Sequence, residues 1–296
     1  MRSDHRKPAA VCAVLAILAA IPACGGGHPA PDRRAKAHGR LYAMNRALRI
    51  GVKTDEPGIA FADATGTNLT GLDIDIAKQI AAALHDQPVF QPVVSSTREQ
   101  MLRSQAVDLV IASYSISEER LTKIDFAGPY LIAGQDTLIR SDDTSITSID
   151  ALRNKITCGV IGSNSPTRLA VRFSGSENVA NAWGKRHLKL LLGYGGCLPL
   201  LLNKTVDAVS TDDSILAGYA NDPRYKGRVR LLGQRFPSHR EKYGIGIAKG
   251  DPADVTLINA TLRQMIGDGR WARIIRQNLG DSASLFLKPE DRPVPP

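Results

Sequence analysis

Residues 108–130 read DLVIASYSISEERLTKIDFAGPY, and the rest of the chain is arranged around them. Val107-Asp108-Leu109-Val110-Ile111 is a short apolar run of the kind that forms a buried parallel strand. The residues turn small and polar from Ala112 to Ser117, and Glu118-Glu119-Arg120 opens a second element. Ser113, Ser115 and Arg120 therefore stand just past a strand's carboxyl end, the edge of an open α/β sheet where ligands bind. An arginine fork matches a carboxylate with paired donors, and small hydroxyl residues let backbone N–H groups come close. The same residues also suit a solvated turn with an exposed charge cluster, so this stretch alone admits both readings.

Upstream, Gly71-Leu72-Asp73-Ile74-Asp75-Ile76, followed by Ile80, Ala81 and Leu84, resembles the signature of family 3 extracellular solute-binding proteins. The runs Ser115 to Arg120 and Phe126 to Tyr130 are similar to that family's ligand loop and the strand after it. Thr211-Asp212-Asp213, Ile215-Leu216-Ala217-Gly218-Tyr219 and Lys242-Tyr243-Gly244 resemble its actinobacterial branch of glutamate- and glutamine-binding lipoproteins serving ABC importers. The resemblance implies a two-lobed, periplasmic-binding-protein-like α/β fold with two hinge strands and a ligand cleft between the lobes. It implies as partners an amino acid and a membrane permease, with no cofactor and no metal, and a monomer is expected.

The composition, 43% hydrophobic and 23% charged over 296 residues, is that of an ordinary globular chain. The length suffices for two cores of roughly 100 residues each. Arg2, Arg6 and Lys7 precede an apolar run from Ala9 to Ile21 that is short for a stable bilayer span and reads as a signal sequence. It ends at Ile21-Pro22-Ala23-Cys24, which resembles a lipobox with Cys24 as the acylated residue; a plain secretory cleavage is the alternative. Residues 1–23 are then the leader, and 24–45, rich in Gly, Ala, Pro and charge, a flexible tether that leaves the protein on the outer face of the cytoplasmic membrane.

With Cys12 in the leader and Cys24 acylated, Cys158 and Cys197 remain, and in an exported chain two leftover cysteines most often pair. The 38 residues between them make such a bridge worth on the order of 4 kcal/mol in the chain-entropy model. Free thiols or a metal site are the alternatives. Removing the leader lowers the formal charge from +9 to +7. The basic residues are scattered and aromatics make up 5% of the chain, so no nucleic-acid face is expected.

The chain reads as a first lobe from 46–138 and 239–288, a second lobe from 139–238, and a loose Pro-rich tail from 289–296. A helix is predicted near Asp73 to Leu84, because Leu72, Ile76, Ile80 and Leu84 recur on one face; Asp73 and Asp75 suit its positive amino end. Segments near 133–140 and 242–247 resemble the two strands that cross between lobes. An internal echo pairs Leu102, Val107, Asp108 and Val110 with Leu201, Val206, Asp207 and Val209.

A free amino acid carries a carboxylate and an ammonium close together, so its binder needs an anion site facing a cation site. The anion site is expected at Arg120, helped by Ser113, Ser115 and the backbone around Ser163, Asn164 and Ser165, where a helix with Pro166 in its first turn begins. Asp212 is the expected cation site, with a helix cap as its alternative role. Arg98, after Ser95-Ser96-Thr97, resembles an arginine that holds the side-chain carboxylate in acidic amino-acid binders, and Lys53 is a second candidate cation. Either could instead serve structure, Arg98 facing solvent and Lys53 pairing with Asp55 or Glu56. An amino-acid sensor shares this binding chemistry, and dehydratases and cell-wall lytic enzymes share the fold. Against an enzyme, the six histidines at 5, 28, 38, 85, 187 and 239 fall at none of the strand ends assigned to the cleft.

Overall fold

The computed structural model describes residues 39–42, 44, 46–236 and 240–296. Cys24, the leader and most of the expected tether lie outside the described residues. The described part of the tether docks against the body: Leu41 is buried and its N–H donates to Asp254 Oδ1 at 3.0 Å.

The strands are β1 (Leu48–Val52), β2 (Asp55–Glu56), β3 (Ala60–Ala62), β4 (Leu69–Thr70), β5 (Pro88–Pro92), β6 (Leu109–Val110), β7 (Asp125–Arg140), β8 (Thr157–Val160), β9 (Leu188–Leu191), β10 (Ala208–Asp212), β11 (Val229–Leu231) and β12 (Arg240–Ile247). The helices are α1 (Leu72–Ala83), α2 (Arg98–Arg103), α3 (Glu118–Leu121), α4 (Asn164–Ser174), α5 (Ala182–His187), α6 (Cys197–Leu202), α7 (Asp213–Asn221), α8 (Pro252–Gly267) and α9 (Arg270–Leu279). One continuous sheet runs in the order β5-β1-β6-β12-β7-β10-β8-β9, with β11 also on β7.

Two lobes arise because β7 changes partners along its length. Its first part pairs antiparallel with β12 as far as Gly134, and from Gln135 to Arg140 it pairs with β10 and β11. The first lobe holds β5, β1 and β6 in parallel register, with α1 burying the predicted apolar face of Leu72, Ile76 and Ile80. The second holds β10, β8 and β9, also parallel.

The internal echo has a structural basis. Asp108 Oδ2 accepts the N–H of Arg49 on neighbouring β1 at 2.9 Å, and Asp207 Oδ2 accepts the N–H of Ile156 beside β8 at 2.8 Å. Each aspartate satisfies a backbone donor at the start of a parallel strand, so each lobe is built from the same helix-turn-strand unit. Polar strand ends from both units then point at the gap between the lobes.

Cys158 on β8 and Cys197 at the start of α6 form a disulfide. It ties the second lobe's sheet to the loop 193–196, which reaches across to the first lobe: Gly195 N–H donates to Asp55 Oδ2 at 3.0 Å, and Tyr219 hydroxyl donates to the Asp55 carbonyl. Asp55 therefore joins the two lobes. The tail expected to be loose is also tied down, with Asp291 buried and paired with Arg235 and Arg240 at the hinge. Among the described residues, no helix is long and apolar enough to cross a membrane.

Candidate ligand-binding site

The central stretch folds as its pattern suggests: β6 ends at Val110, and Ser117 caps α3 by accepting the Arg120 N–H. This locates Glu118 and Glu119 in the first turn of a helix, with Glu119 paired to Lys123. Between the strand and the helix, Ser113 takes a positive φ of 45°, a conformation that an L residue adopts only when something holds it. Asp73 does so. Its Oδ2 accepts the Ser113 N–H at 2.7 Å and its Oδ1 the Tyr130 hydroxyl at 2.8 Å. The role expected of Asp73, stabilising the positive end of α1, is thus joined by a second one, bracing the ligand loop from beneath. Burial lifts its carboxyl to about 7, against the pull of those two hydrogen bonds.

A small enclosed cavity lies between the lobes and collects nine of the ten expected binding residues. Ser95, Arg98, Ser113, Ser115 and Arg120 line it from the first lobe; Ser163, Asn164, Ser165 and Asp212 line it from the second. Lys53 is the exception. It is buried and does not line the cavity, with its ammonium 3.4 Å from Glu56, whose own carboxyl is raised by burial. Its charge is therefore matched by a neighbour three residues on, one of the two pairings open to it.

Both arginines lie against the Tyr114 ring, their guanidinium carbons 4.1 Å (Arg98) and 5.0 Å (Arg120) from its centroid. Arg98 donates to the carbonyls of Ser95 and Ala112, and Arg120 to that of Ser115. Each also donates from Nη2 to the carbonyl of Gly162 in the other lobe, at 3.1 Å and 3.0 Å. One oxygen can therefore take donors from both forks at once. Burial, and then the neighbouring Arg120, lowers the Arg98 guanidinium to about 10, so Arg98 stays a cation at neutral pH. Arg98 does not point to solvent; it is 2% exposed.

Opposite, α4 begins at Asn164 with Ser163 as its cap, so its positive end points into the same cavity. Asp212 closes the other side. It is buried, and burial raises its carboxyl while the Tyr243 hydroxyl, donating at 2.6 Å, works against that rise. Its side chain makes no capping hydrogen bond to α7, and Asp213 does not cap either: it accepts from the Gly134 N–H and pairs with Arg235.

Three further residues line the cavity beyond those expected to bind: Tyr194, and Thr211 and Ile215, which the sequence offered only as parts of family-like motifs. Tyr194 sits in a Gly-rich turn with no periodic signal, and its hydroxyl is 2.9 Å from Ser163 Oγ. Thr211, one residue before Asp212, accepts from Ser165 Oγ at 3.3 Å. Among the described residues, no cluster of three or more His, Cys, Asp or Glu side chains is arranged to hold a metal. The cavity combines two guanidinium groups, a helix amino end and one carboxylate, which suits a small zwitterion.

Residues 48–281 match the model of the bacterial extracellular solute-binding proteins, family 3. The chain is 31% identical to the glutamate-binding protein GluB of Corynebacterium glutamicum over 282 residues, covering 90% of each chain. It is 30% identical to the ABC transporter glutamine-binding protein GlnH of Bacillus subtilis over 264 residues, 88% of this chain and 91% of that one. Among solved structures, an ancestral arginine-binding protein bound to arginine is 31% identical, with a TM-score of 0.69 over 79% of this chain and 98% of that one.

Proposed function

The chain belongs to the bacterial extracellular solute-binding proteins, family 3, a family of binding proteins rather than enzymes, and we propose that it captures a free acidic amino acid for an ABC importer. The observation that carries the reading is the cavity's composition: two buried arginines, Arg98 and Arg120, face one buried aspartate, Asp212. Arg120, with Ser113, Ser115 and the amino end of α4, takes the α-carboxylate, and Asp212 takes the α-ammonium. Arg98, beside Ser95, is left for a second negative group on the side chain. Arginines outnumber carboxylates two to one in the cavity lining, which favours a ligand of net negative charge. Glutamate and aspartate fit that requirement better than glutamine. The names of the relatives, glutamate-binding and glutamine-binding alike, support the amino-acid class.

The anion pole draws on residues from both lobes, so ligand bridges them, and the closed form is the one a permease recognises. The protein works in this reading as a monomer, held to the outer face of the cytoplasmic membrane through lipid on Cys24. Replacing Cys24 with Ala should release the protein to the medium or leave the leader uncut; a cleaved variant that stays on the membrane refutes the anchor. Calorimetric titration with L-glutamate, L-aspartate and L-glutamine tests the specificity. Tighter binding of glutamine than of either acid would show that Arg98, whose donors already meet three backbone carbonyls, serves structure only.

A further inference from the structure

Asp212 ends β10 and stands at the amino end of α7. From that position an aspartate ordinarily turns its carboxylate back onto the first free N–H groups of the helix. Here the carboxylate is turned elsewhere. Its Oδ2 accepts from the Tyr243 hydroxyl at 2.6 Å, and the Tyr243 oxygen lies 3.1 Å from Ser214 Oγ. The phenol has one proton and it goes to the carboxylate, so Ser214 donates to the phenol oxygen. The three side chains form a buried chain running from Ser214 through Tyr243 to Asp212. Tyr243 is carried by β12, the strand that returns to the first lobe, and not by the strand or helix on which Asp212 sits.

We propose that Tyr243 is a positioning residue for ammonium recognition: its hydroxyl holds the Asp212 carboxylate toward the cavity and off the amino end of α7. This rests on the reading of Asp212 as the cation pole. Oδ2 is fixed by the phenol, and among the described residues no donor takes Oδ1, so that oxygen is available to a ligand in the cavity Asp212 lines. The electrostatics agree in direction. Burial favours the neutral acid, whereas the Tyr243 hydrogen bond and the charges of Arg168, Arg120 and Arg98 favour the carboxylate that an ammonium needs.

The consequence separates positioning from packing. Without the hydroxyl, the Asp212 carboxylate is free to cap α7, so Tyr243→Phe loses affinity without losing helix stability. A purely structural tyrosine does the reverse. The test is a double-mutant cycle between Tyr243→Phe and Asp212→Ala, read by calorimetry with the common L-amino acid that raises the thermal midpoint most. A hydrogen bond to a charged group corresponds to a loss of about ten-fold or more for Tyr243→Phe in the wild-type background. In the Asp212→Ala background the same change should cost less than about two-fold, since its target is gone, and the thermal midpoint of Tyr243→Phe should be unchanged or higher. Equal losses in both backgrounds overturn the proposal and leave the function intact. An Asp212→Ala variant that binds normally, or a protein that no amino acid stabilises, overturns the reading beneath it. If Tyr243→Phe fails to fold, Ser214→Ala runs the same cycle through the next link, and a smaller loss of the same non-additive kind is expected.

Discussion

Replacing Gly162 with Ala should prop the cleft open. Gly162 lies in the second lobe with φ +81°, and a Cβ built on it would stand 2.7 Å from both the Cα and the N of Ser96 in the first lobe. These are backbone atoms, so the clash cannot be relieved by turning a side chain, and relief comes from separating the lobes. Its carbonyl is also the acceptor shared by Arg98 and Arg120, so separation breaks both cross-lobe bonds. Overpacking of this kind costs about 1–3 kcal/mol, which corresponds to a loss of ligand affinity of roughly 5- to 160-fold if binding requires closure. The backbone cost of alanine at positive φ is a separate effect. Gly175 isolates it: its φ is +70°, it belongs to the same lobe, and nothing lies within 4 Å of its added Cβ. Calorimetry should show weaker binding for Gly162→Ala than for Gly175→Ala, and solution scattering a larger radius of gyration. Equal affinities and equal radii for the two variants would refute the closure argument.

Stability should depend on pH in two opposed steps. The folded-state carboxyls of Asp73 and Asp254 are both raised to about 7, chiefly by burial. A raised folded pKa contributes stability that is complete below the unfolded value and lost as pH rises through 7, so the thermal midpoint should rise from about pH 8 to about pH 5. Asp108 acts oppositely: burial works against its ionisation, but hydrogen bonds from Arg46 and Arg49 outweigh that and hold it low, so its contribution is lost in acid. Asp73→Asn should flatten the first step, and a midpoint that climbs steadily from pH 5 to 8 would contradict the assignment. For Arg98→Ala, calorimetry should show the preference for glutamate over glutamine reduced; an unchanged ratio would remove Arg98 from specificity.

Much of this architecture was legible in the sequence because it follows local pattern. The four-residue recurrence from Leu72 to Leu84 gave α1, and the echo of Asp108 in Asp207 reflects one backbone need met twice. That Arg120 and Asp212 line the cavity was legible through their place after strands. What escaped depends on partners far along the chain. Asp73 reads as a helix-end acid because the residues it braces, Ser113 and Tyr130, are 40 and 57 positions away. The stretch around Pro57-Gly58 reads as loop, yet Asp55–Glu56, Ala60–Ala62 and Leu69–Thr70 build the small sheet β2-β3-β4 around it. The tail reads as loose because proline-rich ends usually are, and only the fold brings Arg235 and Arg240 to Asp291. Tyr243 carries no spacing signal at all, since its partner Asp212 lies on a different strand 31 residues earlier.

The central claim is that one cavity reads the two charges of a free amino acid through opposite poles. Calorimetric titration of the wild-type protein with L-glutamate, with glutarate, which lacks the ammonium, and with 4-aminobutyrate, which lacks the α-carboxylate, tests it most directly. Each analogue leaves one buried pole without a partner, so each should bind at least about a hundred-fold more weakly than glutamate. An analogue that binds as tightly as glutamate would show that the pole it cannot fill takes no part in recognition.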